Sequence, residues 1–186
     1  MLITAASSGI GSIGIQLAKL LGAPTVVAST RSLQKAALLE EIGADAVVVV
    51  SADEDVAAGT RRATEGRGAR VVLDHVGGDR LGDAIEAACD GGDVISAGRL
   101  GGARGSLDLF TLARRHVTLR SVSYALTPPS VFGDLLDGLR PVVLPAVADG
   151  RIRAVIDRTY SFDDAFTAVD RLASGEVCGK VVLRLG

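Results

Sequence analysis

Near its start the chain reads Ser7-Ser8-Gly9-Ile10-Gly11-Ser12-Ile13-Gly14, a Gly-x-Gly-x-x-Gly spacing. This spacing suits a pyrophosphate. The first glycine permits a tight turn, the second lets the backbone approach the anion, and the third allows close helix–strand packing. A helix opening inside the loop would turn free N–H groups and the positive end of its dipole toward the phosphates. Ser7 and Ser8 add hydroxyl donors beside Gly9, Ile10 and Gly11. No Gly-Lys-Ser/Thr follows, which excludes a P-loop. A plain glycine turn is the simpler reading, but the strand before it and the helix after it supply the setting that a dinucleotide fingerprint requires.

The end of the next strand tests the choice of dinucleotide. NAD-selective sites usually carry Asp or Glu there, accepting from the ribose hydroxyls. Here the segment is Ser29-Thr30-Arg31-Ser32, with Lys35 one turn on, and no carboxylate stands between Gly9 and Glu40. Arg31 and Lys35 could face a 2′-phosphate, with Thr30 or Ser32 donating as well. The expected cofactor is therefore NADPH. Two later strand ends carry similar signals: Asp74-His75-Val76-Gly77-Gly78 and Ser96-Ala97-Gly98-Arg99-Leu100-Gly101-Gly102. Small residues there let a flat ring approach the backbone. Val76, Gly77, Gly98, Arg99 and Leu100 are expected to line the nicotinamide end. His75 has no partner visible in the sequence and reads as a loop residue. No metal site is expected, because His75, His116, Cys89 and Cys178 lack ligand spacing.

The elements that must position these residues alternate along the chain. Strands are expected at 2–5, 25–28, 46–50, 71–74, 93–97, 117–124, 155–160 and 180–185. Ile10, Ile13, Leu17 and Leu20 recur at helical spacing until Gly22 and Pro24 stop the helix. Further helices are expected at 32–42 with Ser32 as cap, at 53–64, 79–88 and 106–115, and at 130–139 and 142–149 with a break at Pro141. Residues 90–92, Asp-Gly-Gly, read as a turn. Ser161 with Asp164 reads as a capping box for a helix ending at Gly175. Repeated strand–helix units predict an α/β fold, a doubly wound and mostly parallel sheet with helices on both faces. Its ligands bind beyond the carboxyl ends of the strands, at the switch point.

The composition agrees. At 186 residues the chain suits one domain with at most a small appendage. Hydrophobic residues make up 48% and aromatics 3%, so the core must be aliphatic, as in strands buried on both faces. A formal charge of −2 argues against a nucleic-acid binder. Cys89 and Cys178 form no disulfide framework and read as small buried residues of a reducing, cytoplasmic protein. The N-terminus lacks the basic region of a signal peptide, and no apolar run is long enough to span a membrane.

Together these pieces resemble the medium-chain dehydrogenase/reductase superfamily, in its zinc-independent quinone oxidoreductase branch. The resemblance rests on LITAASSGIGSIGIQLAKLLGA (2–23), the stretch 31–35, EIGADAVV (41–48), VVLDHVGGD (71–79), ISAGRLGG (95–102), HVTLRSVSY (116–124), VIDRTYSFDDA (155–165) and GKVVL (179–183), which occur in family order. It implies a Rossmann domain that binds NADPH over residues 1–150 and reduction of a quinone, enone or similar carbonyl compound by direct hydride transfer. It also implies a homodimer formed along the segment 116–124. In that family a catalytic domain precedes this part and the active-site cleft lies between the two, whereas here Met1 stands inside the first strand. The family also often has an aromatic after the third strand, where this chain has Val50 and Ser51. The segments 155–160 and 180–185 in the tail 151–186 match strands that join the catalytic domain's sheet in the family. Here they are expected to pair with each other, with the main sheet or with another chain, or to lie exposed as open edges.

The loop also looks like that of a short-chain dehydrogenase, but that family needs Tyr-x-x-x-Lys. Pro128 and Asp164 stand four residues after Tyr124 and Tyr160, so the pair cannot form. Two alternatives to the quinone or enone reductase remain. One is a non-catalytic NADPH-binding or dimerising module, or a fragment of a longer two-domain enzyme. The other is an enoyl reductase domain of a synthase.

Overall fold

The computed structural model describes residues 1–51, 54–125 and 127–186. Six strands form the main sheet: β1 (Leu2–Ile3), β2 (Val27–Thr30), β3 (Ala46–Val49), β4 (Ala69–Asp74), β5 (Ala88–Ser96) and β6 (Thr118–Ser121). Their order is β3-β2-β1-β4-β5-β6 and every pairing is parallel. The connection reverses between β1 and β4, which creates a crevice at their carboxyl ends. The helices are α1 (Gly11–Leu20), α2 (Ala36–Glu41), α3 (Val56–Ala63), α4 (Leu81–Ala87), α5 (Leu109–Arg114), α6 (Pro129–Ala148) and α7 (Ala165–Ala173). The expected start of the third helix at Asp53 lies outside the described residues.

Strand alternation divides the core in two. Successive side chains point to opposite faces. Leu2, Val27, Val48, Val72 and Val94 pack with Val56 and Ala57 of α3 and Ala84 and Ile85 of α4. Ile3, Val26 and Ala28 pack on the other face with Ile15 and Ala18 of α1 and Leu39 of α2. The sheet is thus covered on both sides, and the fold is α/β and doubly wound. Aromatic residues take no part in either cluster. Phe110, Phe132, Phe162 and Phe166 are all exposed, Phe166 at 87%.

Several expectations are corrected. Residues 90–92 are not a free turn between a helix and a strand. Ala69 pairs with Ala88 and Val71 with Asp93, so β5 continues through a bulge there. Gly91, at φ +71°, supplies the bend. Pro141 does not break its helix, for α6 runs unbroken past both Pro141 and Pro145. Asp137 and Pro141, whose carbonyls lose an N–H partner, are exposed, so water can take the place of the missing donors. Ser32 makes no side-chain cap, and a 3-10 turn, Leu33–Lys35, precedes α2. The Ser161 hydroxyl donates to the Asp164 carboxylate at 2.7 Å rather than accepting from the backbone. The first strand stops at Ile3, and Ala5 turns into the left-handed region at φ +46°.

The two tail strands, β7 (Ile156–Ser161) and β8 (Lys180–Arg184), pair with each other in parallel as a separate sheet. Of the expected arrangements the tail therefore takes mutual pairing. Asp157 secures it. Arg171 on α7 donates to both Asp157 oxygens at 2.9 and 3.0 Å, and the Cys178 N–H donates at 3.2 Å. The Arg171 guanidinium holds the Asp157 carboxyl below the ordinary aspartate range, against a smaller upward push from burial. A lowered folded-state pKa contributes stability that is present above the unfolded value, near pH ~4, and lost as the pH falls through the folded one. Protection factors of β7 and β8 amides, corrected for intrinsic exchange, should hold above about pH 4 and decline below it. In Asp157→Asn they should be lower throughout and lose that acid dependence.

Candidate cofactor site

The ends of β1, β4 and β5 are joined at the crevice through Asp74, the last residue of β4. It is 1% exposed. Thr4 Oγ1, just past β1, donates to its Oδ1 at 2.8 Å. The Val76 N–H donates to Oδ1 at 3.1 Å and the Gly77 N–H to Oδ2 at 2.9 Å. Its backbone carbonyl accepts from Ala97 at 2.8 Å and Gly98 at 3.0 Å, which ties in the loop after β5. The Ala6 N–H donates to the Ser29 carbonyl at 2.9 Å, which brings in the end of β2.

His75 is a loop residue, as expected, but a buried one with partners. It is 3% exposed, its N–H donates to Thr4 Oγ1 at 2.8 Å, and its Nδ1 lies 3.0 Å from the Thr4 carbonyl. Donation to that carbonyl sets the Nδ1–H tautomer. Nε2 is then a buried acceptor with no partner among the described residues.

The glycine turn follows β1. Ser8 Oγ accepts from the Gly11 N–H at 3.0 Å, and the Ser8 carbonyl accepts from Ser12 at 2.9 Å. The Ile10 N–H finds no acceptor among the described residues and is the kind of orphan donor that a helix start offers an anion. The Gly9 N–H is turned toward the Gly179 carbonyl by the parallel bridge between Ser8 and Gly179. A Cβ on Gly11 would stand 2.6 Å from the Ala5 oxygen, so only glycine fits. Gly14 differs from its expected role: a Cβ there would make ordinary contact with Ile3 at 3.5 Å.

At the end of β2, Arg31 is exposed and without an ion-pair partner among the described residues. The Thr30 hydroxyl is buried and accepts from the Ser32 N–H at 3.3 Å. Lys35 points elsewhere. Its ammonium donates to the carbonyls of Gly175 at 2.9 Å and Val177 at 2.8 Å, fastening the tail. The tail also touches the glycine turn, where the Gly179 N–H donates to the Ser7 carbonyl at 2.8 Å. Lys180 lies across Gly9, and a Cβ on that glycine would stand 2.7 Å from the lysine Nζ. Lys180 is a cation at the turn that the sequence reading missed. The Gly-Lys pair before the last strand was visible, but only the fold carries it to the first turn.

At the far end of the crevice the two later glycine loops pack backbone against backbone. Gly77, at φ +62°, could carry a Cβ only 2.8 Å from the Gly98 oxygen, and a Cβ on Gly98 would collide with the His75 carbonyl. Leu100, at 74%, and Ile10, at 59%, present exposed apolar surface. Gly77, Gly98 and Arg99 line a cavity of about 300 Å³. The backbone donors, the unpaired Arg31 and the small-residue walls fit a phosphorylated dinucleotide.

Residues 9–139 match the model of the zinc-binding dehydrogenase family. The chain belongs to that family. The matching part is the C-terminal, cofactor-binding half of medium-chain dehydrogenases/reductases. Among curated relatives, a phenolphthiocerol/phthiocerol polyketide synthase of Mycobacterium tuberculosis is 28% identical over 100% of this chain and 8% of its own length. An NAD-dependent alcohol dehydrogenase of Sulfolobus acidocaldarius is 26% identical over 100% of this chain and 50% of its own length. A quinone oxidoreductase of Pseudomonas aeruginosa is 28% identical, over 98% of this chain and 55% of its own. The Escherichia coli quinone oxidoreductase complexed with NADPH superposes with a TM-score of 0.80 at 26% identity, over 98% of this chain and 56% of that one. The chain thus spans about half the length of the dehydrogenases it matches and a small part of the synthase. Among the described residues no group of three or more His, Cys, Asp or Glu could hold a metal ion, so they do not fit a zinc site. Among the same residues no helix is long and apolar enough to cross a membrane.

Thr4 should be sensitive in a specific way. Thr4→Val keeps the shape but leaves Asp74 short of a donor and the His75 N–H short of an acceptor. It should lower stability by about 1–3 kcal/mol in urea denaturation, with most of the loss regained by Thr4→Ser.

Proposed function

We propose that the chain is the cofactor-binding half of an NADPH-dependent oxidoreductase acting on a quinone, an enone or a similar electron-poor carbonyl compound. The observation that carries the cofactor choice is Arg31, a cation without a carboxylate partner at the end of β2. When bound there, NADPH supplies the hydride. The residues of this chain bind and orient it. Ser7, Ser8, Gly9, Ile10 and Gly11 would receive the pyrophosphate, with Lys180 as counter-charge. Arg31 would pair with the 2′-phosphate, with Thr30 and Ser32 beside it. Lys35, engaged with the tail carbonyls, would act by holding β8 against the turn. Val76, Gly77, Gly98, Arg99 and Leu100 would flank the nicotinamide.

A second reading is cofactor binding without turnover. NADPH oxidation with a simple quinone by this chain would select the first. The first reading also expects a homodimer along β6, the outer strand of the sheet. A monomer in sedimentation velocity at micromolar concentration would argue against it.

The two cations should behave differently. Arg31→Ala should weaken NADPH by about tenfold or more while leaving NADH within about twofold, because it removes a charge-assisted contact only to the 2′-phosphate. Lys180→Met should weaken both cofactors by a similar factor. Equal losses for both cofactors in Arg31→Ala, measured by fluorescence titration, would sink the NADPH assignment.

A further inference from the structure

Beyond the ends of β4, β5 and β6 the cavity of about 300 Å³ has an unusual charge balance. Ser96 and Ser121 line it at the ends of β5 and β6, and the half-buried Leu81 and Leu119 add an apolar wall. Its charged lining residues are Arg99 and Arg104, with no Asp or Glu among them. Neither guanidinium has a hydrogen-bond or ion-pair partner among the described residues. Several other arginines are answered by carboxylates, such as Arg70 by Asp93, Arg115 by Asp90 and Arg171 by Asp157. Two uncompensated cations on one cavity stand out in a chain of net charge −2.

The backbone that carries them is clamped. The Gly101 N–H donates to the Val76 carbonyl at 2.8 Å, and the Gly102 N–H to the Arg99 carbonyl at 3.1 Å. A Cβ on Gly98 would collide with the His75 carbonyl, and one on Gly105 with the Gly78 carbonyl. Arg99 and Arg104 each adjoin one of these backbone contacts, so their Cα positions are set before anything binds. Two guanidinium groups carried on a fixed backbone are suited to an oxyacid anion, which each can meet with two parallel N–H donors. The cofactor's phosphates have other cations, Arg31 and Lys180, on the β1–β2 side of the crevice.

We infer that this cavity receives an anionic group of the substrate, a sulfonate, carboxylate or phosphate joined to the electron-poor carbonyl compound. Arg99 and Arg104 hold the anion, and Leu81 and Leu119 cover carbon. The inference rests on the proposed function for the identity of the reacting part. Two sources share the chemistry: a free acidic quinone or enone, and an enoyl thioester on a phosphopantetheine arm.

Calorimetric titration of this chain, with and without saturating NADP⁺, tests it with two matched pairs. One pair is 1,4-naphthoquinone-2-sulfonate against 1,4-naphthoquinone. The other is crotonyl-phosphopantetheine against crotonyl-pantetheine. The charged member of at least one pair should bind about tenfold tighter than the neutral one, and the pair that discriminates names the source. Arg104→Gln should reduce that preference to about threefold or less, with the neutral compounds unchanged. Equal affinities within both pairs, a preference undiminished in Arg104→Gln, or a tenfold loss of NADP⁺ affinity in Arg104→Gln would each overturn the inference. If NADP⁺ fails to bind but the preference persists, the cofactor reading falls and the anion site stands. If NADP⁺ binds and no preference appears, the anion site falls alone.

Discussion

A buried carboxyl group with no ion-pair partner among the described residues holds the crevice together. Asp74 accepts from Thr4, Val76 and Gly77 through its side chain and from Ala97 and Gly98 through its carbonyl. Burying such a group is costly unless its lone pairs are occupied. Satisfying them with backbone donors from its own loop and a hydroxyl from the neighbouring strand turns that cost into a geometric requirement. β1 and β4 can then separate only by leaving several polar groups unpaired. The switch point, where the fold must provide a cleft, is therefore also where side-chain hydrogen bonds cross-link its strands.

The second constraint comes from the tail. A two-stranded parallel sheet is small and open at both edges. This one is tied to the main body at the Ser7 carbonyl and at Lys35. Both ties lie on segments expected to hold the dinucleotide, so the geometry of the glycine turn and the seating of β8 are linked. The exposed Phe162 and Phe166, on the same tail, leave a large apolar face outside that linkage. The main core is made wholly of aliphatic residues, one of them, Val155, from the tail.

Much of the fold was legible in the sequence because its signals are local. Leu2 beside Ile3 and Val27 beside Ala28 are apolar in succession, as a strand covered on both faces must be. The glycine spacing at residues 9–14 and the absence of a carboxylate up to Glu40 could likewise be read without a structure. What escaped was long-range. Lys35 looks like a free basic residue at a helix start, and nothing nearby announces that the carbonyls of Gly175 and Val177 reach it. His75 looks solitary because its partner is Thr4. Pro141 carries a local rule that exposure overrides, since solvent replaces the lost donor. The turn at residues 90–92 was read correctly as a bend but not as one inside a strand, because ladder partners cannot be seen in one segment.

The glycine loops at the far end have a consequence for sequence change. At Gly77, Gly78, Gly98 and Gly105 the space that a side chain would fill is already held by another loop's backbone. Those positions cannot drift without moving the floor of the crevice. Between them, Arg99, Leu100, Ala103 and Arg104 are exposed. The loop thus separates its invariable frame from its adjustable side chains. Charge and bulk at the mouth can be exchanged residue by residue while the surface beneath stays where it is.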